Sequence, residues 1–197
     1  MPRPSKSQER QKAFLPVIAK TFAESGYRRT TTAELAKRCE VQEIILFRLW
    51  PSKKAMFLAA IDYVYALSEG IWSDLLRTEG KGAGSAKRLL DYESAHHGEF
   101  GMYRILFAGL SETDDPDIHD ALRRTYGRFQ EFVREQIEAD ADGGKRRSVP
   151  DARLLAWAFV GLGTVANITS DLGLTTPRER QQLIKKIGLL LLKSRAP

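Results

Sequence analysis

Along nearly the whole of this 197-residue chain the apolar residues recur at intervals of three and four, and almost nowhere at intervals of two. That spacing lines side chains up on one face of an α-helix, whereas a half-buried strand needs strict alternation, so the fold class is all-α. Proline and glycine cut the pattern into about nine segments. Phe14, Val17, Ile18, Thr21 and Phe22 mark a first helix over 7–25, with Gly26 suited to the left-handed conformation at its end. Pro16 inside it predicts a kink or a later start, because proline lacks a donor and crowds the carbonyl four residues back. Thr31 and Glu34 form a capping box for a short helix reaching about residue 38. A second short helix over 42–49 carries Ile45, Leu46 and Leu49 on one side and stops at Trp50-Pro51. Ser52 caps a long helix over 53–78, and further helices are expected over 85–97, 99–111, 116–139, 150–171 and from Pro177 onward.

The basic excess is confined to one end. Lys and Arg outnumber Asp and Glu by 12 to 5 in residues 1–57, but number 19 against 20 in residues 58–197. A basic module over 1–57 joined to a near-neutral part over 58–197 points to a polyanion at one end and other business at the other. A single Cys leaves no disulfide framework, and no apolar stretch follows the charged start, so the expected location is cytoplasmic. The most apolar run, 154–165, is interrupted by Gly161 and Gly163 and is shorter than the roughly 20 residues of a membrane span, so no membrane is expected as partner.

Two short helices joined by Cys39-Glu40-Val41, after a longer one, describe a helix-turn-helix unit whose second short helix enters a major groove. Leu35, Val41 and Leu46 fill its small core, and Ala36 is small where the short helices cross. Gln42, Glu43, Ile44, Phe47 and Arg48 fall on the surface that meets DNA. Gln42 can pair with adenine, Arg48 with guanine or phosphate, Ile44 with a thymine methyl, and Glu43 can accept from a cytosine amino group.

From about residue 14 to 57 the chain resembles the TetR family of transcriptional repressors. The resemblance is carried by Thr21-Phe22-Ala23-Glu24-Ser25-Gly26-Tyr27, Thr30-Thr31-Thr32-Ala33-Glu34-Leu35-Ala36, Val41, Leu46-Phe47 and Trp50-Pro51-Ser52-Lys53. It implies that Thr31 or Thr32, ahead of the first short helix, and Lys53, at the start of the fourth, bind phosphate. It also implies a homodimer acting on a palindromic operator, answering to a small molecule and needing no cofactor. The chain departs from the family at the turn, where Glu40 replaces the usual Gly, and where Phe47, Leu49 and Trp50 replace a Tyr, His and Phe run. Glu40, Glu43 and Phe47 against the basic flank of Arg3, Lys6, Arg10, Lys12, Arg28 and Arg29 leave open an alternative, a helical ligand- or protein-binding module with weakened operator binding.

TetR-like proteins dimerise through their last two long helices. Here these offer Leu155, Phe159, Leu162, Gly163 and Ala166 on one and Leu183, Ile187, Leu190 and Leu191 on the other as the expected interface. Trp72, Tyr92, His96, Phe100, Tyr103, Phe107 and Trp157 are spaced to line a pocket for an apolar or aromatic ligand, with Arg104 for an anionic group. Other chemistries fail on spacing. Adjacent His96 and His97 diverge by about 100° on a helix, so no metal site is expected. Gly161-Leu-Gly163-Thr-Val-Ala166 spells a dinucleotide fingerprint but lies in a helix with no acid about 20 residues on. No acid, base and nucleophile come together as catalytic residues, so the chain does not read as an enzyme.

Overall fold

The first helix, α1 (Lys6–Arg29), begins where Ser5 accepts a hydrogen bond from the Gln8 amide and the Gln8 side chain accepts one from the Ser5 amide. This capping box fixes the start one residue before the expected one. The helix runs through Pro16, and its one non-helical residue is Gly26, at φ 75° and ψ 170°. The kink expected at Pro16 therefore lies ten residues on, since Lys12, whose carbonyl proline deprives of a partner, is exposed where water can take the bond. The backbone of Gly26 sits in a region almost closed to other residues, so the chain breaks where glycine permits it.

The computed structural model describes residues 5–78, 84–99, 101–141 and 151–193, which contain nine helices and no strand. Arg3, Phe100 and the segments 79–83 and 142–150 lie outside the described residues. After α1 come α2 (Thr32–Arg38), α3 (Glu43–Leu49), α4 (Lys53–Thr78), α5 (Ser85–His96), α6 (Arg104–Leu110), α7 (Pro116–Ala141), α8 (Ala152–Asp171) and α9 (Pro177–Lys193). The short α6 replaces a helix expected over 99–111, because Gly98 and Gly101 both adopt positive φ and interrupt it.

Contacts divide the chain into two compact units, residues 1–67 with 100–125, and 68–99 with 126–197, so α4 and α7 each contribute to both. In the first unit Ile18, Phe22, Leu35, Leu46, Phe57, Ile61, Ile105 and Ile118 are fully or almost fully buried. The rings of Phe22 and Tyr27 both pack on Phe57, with centroids 4.9 and 4.7 Å away. Ion pairs join the segment between α6 and α7, and the first turn of α7, to α1 and α4: Arg28 reaches Glu112 at 2.9 Å, and Lys54 reaches Asp117 at 2.6 Å and Asp115 at 3.1 Å.

In the second unit small residues let helices close on one another. Ala86, Ile137, Ala152 and Ala156 form one cluster, and Leu90, Ala166 and Ile184 another, with Phe159 packed against both. A Cβ on Gly188 of α9 would meet Leu90 of α5 at 2.3 Å, so α5 and α9 touch where only glycine fits. Thr176 and Glu179 cap α9 reciprocally, since the Glu179 amide donates to the Thr176 hydroxyl and the Thr176 amide to the Glu179 carboxylate.

Candidate functional site

Helix α3 is only seven residues long, too short to hold its shape alone, and three sets of contacts hold it. Leu46 is fully buried and Trp50 nearly so, against Leu35 and Ala36 of α2 in the same core. The side-chain amide of Gln11 on α1 donates to the Leu49 carbonyl at 2.8 Å, occupying one of the orphan carbonyls at the end of α3. The third set is the turn between α2 and α3. There the Glu40 amide donates to the Lys37 carbonyl and the Val41 amide to the Ala36 carbonyl, the paired bonds of a Schellman motif.

That motif requires a left-handed residue at Glu40, which has φ 58°. The residue where the family usually has glycine thus keeps the glycine conformation at a cost. Replacing Glu40 with Gly should raise the stability of the protein by about 1 kcal/mol, the left-handed penalty less the added freedom of an unfolded glycine. Urea unfolding of the two proteins checks this, and a variant equal to or weaker than the parent would contradict it.

With its back fixed, α3 presents the expected surface. Gln42 at the N-cap, Ile44 (52% exposed), Phe47 (41% exposed) and Arg48 all stand in solvent, and Glu43 is half-buried. Thr31 is exposed at the N-cap of α2, where its hydroxyl accepts from the Glu34 amide at 3.1 Å, and Thr32 follows as the first helical residue. The Glu34 carboxylate meets Arg38 at 2.6 Å, and Arg38 also reaches Glu24 on α1. These two carboxylates, Glu24 first, hold the Arg38 guanidinium above its ordinary pKa.

Lys53 takes a different place from the expected one. Its ammonium donates to the Tyr27 and Thr30 carbonyls at 3.0 and 3.1 Å and lies 4.4 Å from the centre of the Tyr27 ring. Both carbonyls lie at the C-terminal end of α1, where no further turn of that helix supplies amides, and the cation takes them. Lys53 fastens α4 to the end of α1 rather than reaching out for phosphate.

The candidate ligand residues divide between the two units. Tyr103 and Phe107 are half-buried in the first, where Arg104 is exposed. In the second, the Tyr92 and His96 rings stack with centroids 4.4 Å apart, and Trp72 is buried against Phe129 and Phe132. Trp157 stands on the outer side of α8, 39% exposed.

The periodic reading missed a buried polar chain in this unit. The Trp72 indole N–H donates to Glu93 Oε1 at 2.6 Å, Glu93 Oε2 lies 2.7 Å from His97 Nδ1, and His97 Nε2–H donates to the Gly163 carbonyl at 2.9 Å. A Cβ at Gly163 would come within 3.0 Å of the His97 ring, so glycine is what admits the histidine against α8. The sequence carries one hint of this, the Glu-x-x-x-His spacing of Glu93 and His97. His96 points elsewhere, onto Tyr92, and the described residues hold no metal-ligand cluster.

On α8 the apolar face that meets solvent differs from the expected one. Leu154, Ala158, Gly161, Val165, Ile168 and Leu172, at intervals of four and three, are all exposed. Leu155, Phe159, Gly163 and Ala166 lean into the protein's own packing. Leu162 is half-buried, as are Leu183 and Leu191 on α9, where Ile187 and Leu190 are exposed. At 20 residues α8 is also long and apolar enough to cross a membrane by length and composition, contrary to the reading of its core run as too short.

The sequence model for bacterial regulatory proteins of the tetR family matches residues 15–60. The nucleoid occlusion factor SlmA of Actinobacillus pleuropneumoniae is 33% identical over 90 residues, 46% of this chain and 45% of its own length. The chain spans less than half the length of the curated relatives it matches. A TetR-family transcriptional regulator from Cytophaga hutchinsonii superposes with a TM-score of 0.78 at 16% identity, covering 98% of both chains. A regulator from Saccharomonospora viridis, solved in complex with choline, gives 0.73 at 19% identity, covering 90% of this chain and 94% of its own. At such identities the likeness is one of fold. A helix-turn-helix that matches the tetR sequence model over residues 15–60, continued by helices that share the fold of solved TetR-family regulators, is what relates this chain to that family.

Proposed function

We propose that the protein is a DNA-binding regulator of transcription that acts in the cytoplasm as a homodimer, most simply as a repressor, with no cofactor and no catalytic role. The observation that carries this reading is the outer surface of α3. Gln42, Ile44 and Arg48 offer an amide, an apolar tip and a guanidinium on one short helix fixed from behind, the chemistry that reads base edges in a major groove. Thr31 and Thr32 stand ready for phosphate at the start of α2. A dimer places two such helices on half-sites about one helical turn apart. The second copy covers the exposed stripe of α8 together with Ile187 and Leu190 of α9, which answers the membrane reading of α8 with a protein surface instead.

A small apolar or aromatic molecule held among the helices of residues 58–197 would act by favouring one separation of the two reading helices over another. The choline-bound relative supports the idea that helices of this fold can hold a small molecule. Selection of bound sites from random duplex DNA, followed by salt titration, tests the reading. The expected result is a palindromic site whose affinity falls steeply with salt, and failure to enrich any site would favour the alternative of a module that has lost operator binding. Arg48→Ala should weaken binding about 5- to 150-fold and relax preference at one position of each half-site. Unchanged affinity and preference would remove Arg48 from the interface.

A further inference from the structure

Among the described residues of the first unit, the large apolar side chains left exposed are Leu110 on α6, and Ile44 and Phe47 on α3. Scattered apolar groups are ordinary on a protein surface, but Ile44 and Phe47 share one seven-residue helix. They stand about 60° apart around it, with Cβ atoms about 5–6 Å from one another. Leu46, fully buried, points about 160° away from Ile44, so the packing that fixes α3 also turns this pair outward. Arg48 stands about 40° from Ile44 on the other side, so a cation borders the apolar pair.

Phe47 occupies the place where the family usually has tyrosine. Without a hydroxyl its ring donates nothing to a phosphate, and its gain against DNA comes from covering apolar surface. In the major groove that surface is the methyl group of thymine, the one apolar group a base edge presents there. Purine nitrogens and carbonyls, or the cytosine amino group, lose water against such side chains and gain no partner. Successive bases on one strand rise by about 3.4 Å and are turned relative to one another, which sets neighbouring methyl groups at a spacing that Ile44 and Phe47 match.

We propose that Ile44 and Phe47 together read two adjacent thymines in each half-site through their methyl groups. This assignment rests on the DNA-binding reading above and deepens it. It gives Phe47 a base to read in place of a phosphate to bind, and it states what the operator contains opposite the middle of α3.

Selection from random duplex DNA should return half-sites with two thymines in a row. Replacing those thymines by deoxyuridine removes the methyl groups and leaves every hydrogen-bonding atom in place. The full-length protein should bind the uracil duplex more weakly, by about fourfold for each methyl removed. Deoxyuridine placed outside the half-sites should change nothing. Ile44→Ala and Phe47→Ala, both at exposed positions, should each keep the parental helix content and erase the preference for thymine at one of the two bases. With both changes the protein should bind the thymine and uracil duplexes about equally. Half-sites without adjacent thymines, or parental affinity for the uracil duplex, would overturn the proposal while leaving DNA binding by α3 standing. An undiminished preference for thymine in the variants would overturn it too, and would assign that preference to the shape of the duplex. A parent protein that selects no duplex at all removes the underlying reading as well.

Discussion

Val165→Asp or Leu190→Asp should turn the protein into a stable 22.2 kDa monomer with unaltered helix content and an operator affinity reduced 100-fold or more. Val165 and Leu190 are 49% and 61% exposed, so a carboxylate there costs the isolated chain almost nothing. In a dimer the same carboxylate is buried against apolar groups without a partner, which costs several kcal/mol at each of two symmetric positions. Loss of the dimer separates the two reading helices and forfeits the effective concentration, on the order of millimolar, that one bound half gives the other. Leu155→Asp supplies the contrast. Leu155 packs against the cluster of Ala86, Ile137, Ala152 and Ala156, so this change should unfold the second unit rather than dissociate a dimer. Sedimentation velocity with circular dichroism separates the outcomes, and a dimer that survives both Val165→Asp and Leu190→Asp would refute the assigned face.

Trp72→Ala should destabilise the protein by about 3–5 kcal/mol, read from urea unfolding. The indole packs against Phe129 and Phe132 with ring centroids 5.8 and 5.1 Å away, so alanine opens a cavity between α4 and α7. The indole N–H also occupies one oxygen of Glu93, whose other oxygen faces His97. Without the donor a partly buried carboxylate is left short of a hydrogen bond. Trp72→Phe separates most of the packing from the hydrogen bond, since it keeps an aromatic ring while removing the donor and a smaller part of the indole's volume. It should cost about 1–3 kcal/mol, the penalty of the stranded carboxylate oxygen. Equal losses in the two variants would mean that the ring's volume contributes nothing beyond its N–H.

The helices themselves were legible because their ends are written in local chemistry. Thr31 and Ser52 each cap the helix that the sequence assigns to them, and each accepts the expected amide hydrogen bond. The outward-facing residues of α3 were legible for the same reason, since Leu46 pointing inward fixes the phase of a short amphipathic helix. The phase of α8 was not. That helix is apolar all round, so periodicity cannot say which side faces out, and the expected interface is rotated by one residue from the exposed stripe at Leu154, Ala158, Gly161, Val165, Ile168 and Leu172. One residue is about 100° on a helix, enough to exchange inside for outside.

The place of Lys53 was not legible because its partners, the carbonyls of Tyr27 and Thr30 at the end of α1, meet it only once α4 packs there, 26 and 23 residues on. The polar chain through Glu93 and His97 escaped because it depends on α8 presenting a glycine to α5, a meeting of segments 66 residues apart. Cap chemistry acts within four residues and can be read, whereas contacts of this kind depend on the fold being complete.

Cys39 caps the end of α2 inside the helix-turn-helix, 8% exposed, and burial raises its thiol pKa above the usual value. It is the only cysteine in the chain. A thiol reagent therefore has one target, and it reaches that target only when the α2–α3 turn opens. The reading head thus carries its own stopwatch. The alkylation rate of the unmodified protein measures how often this turn lets go, and a bound duplex that holds α3 in place should slow it.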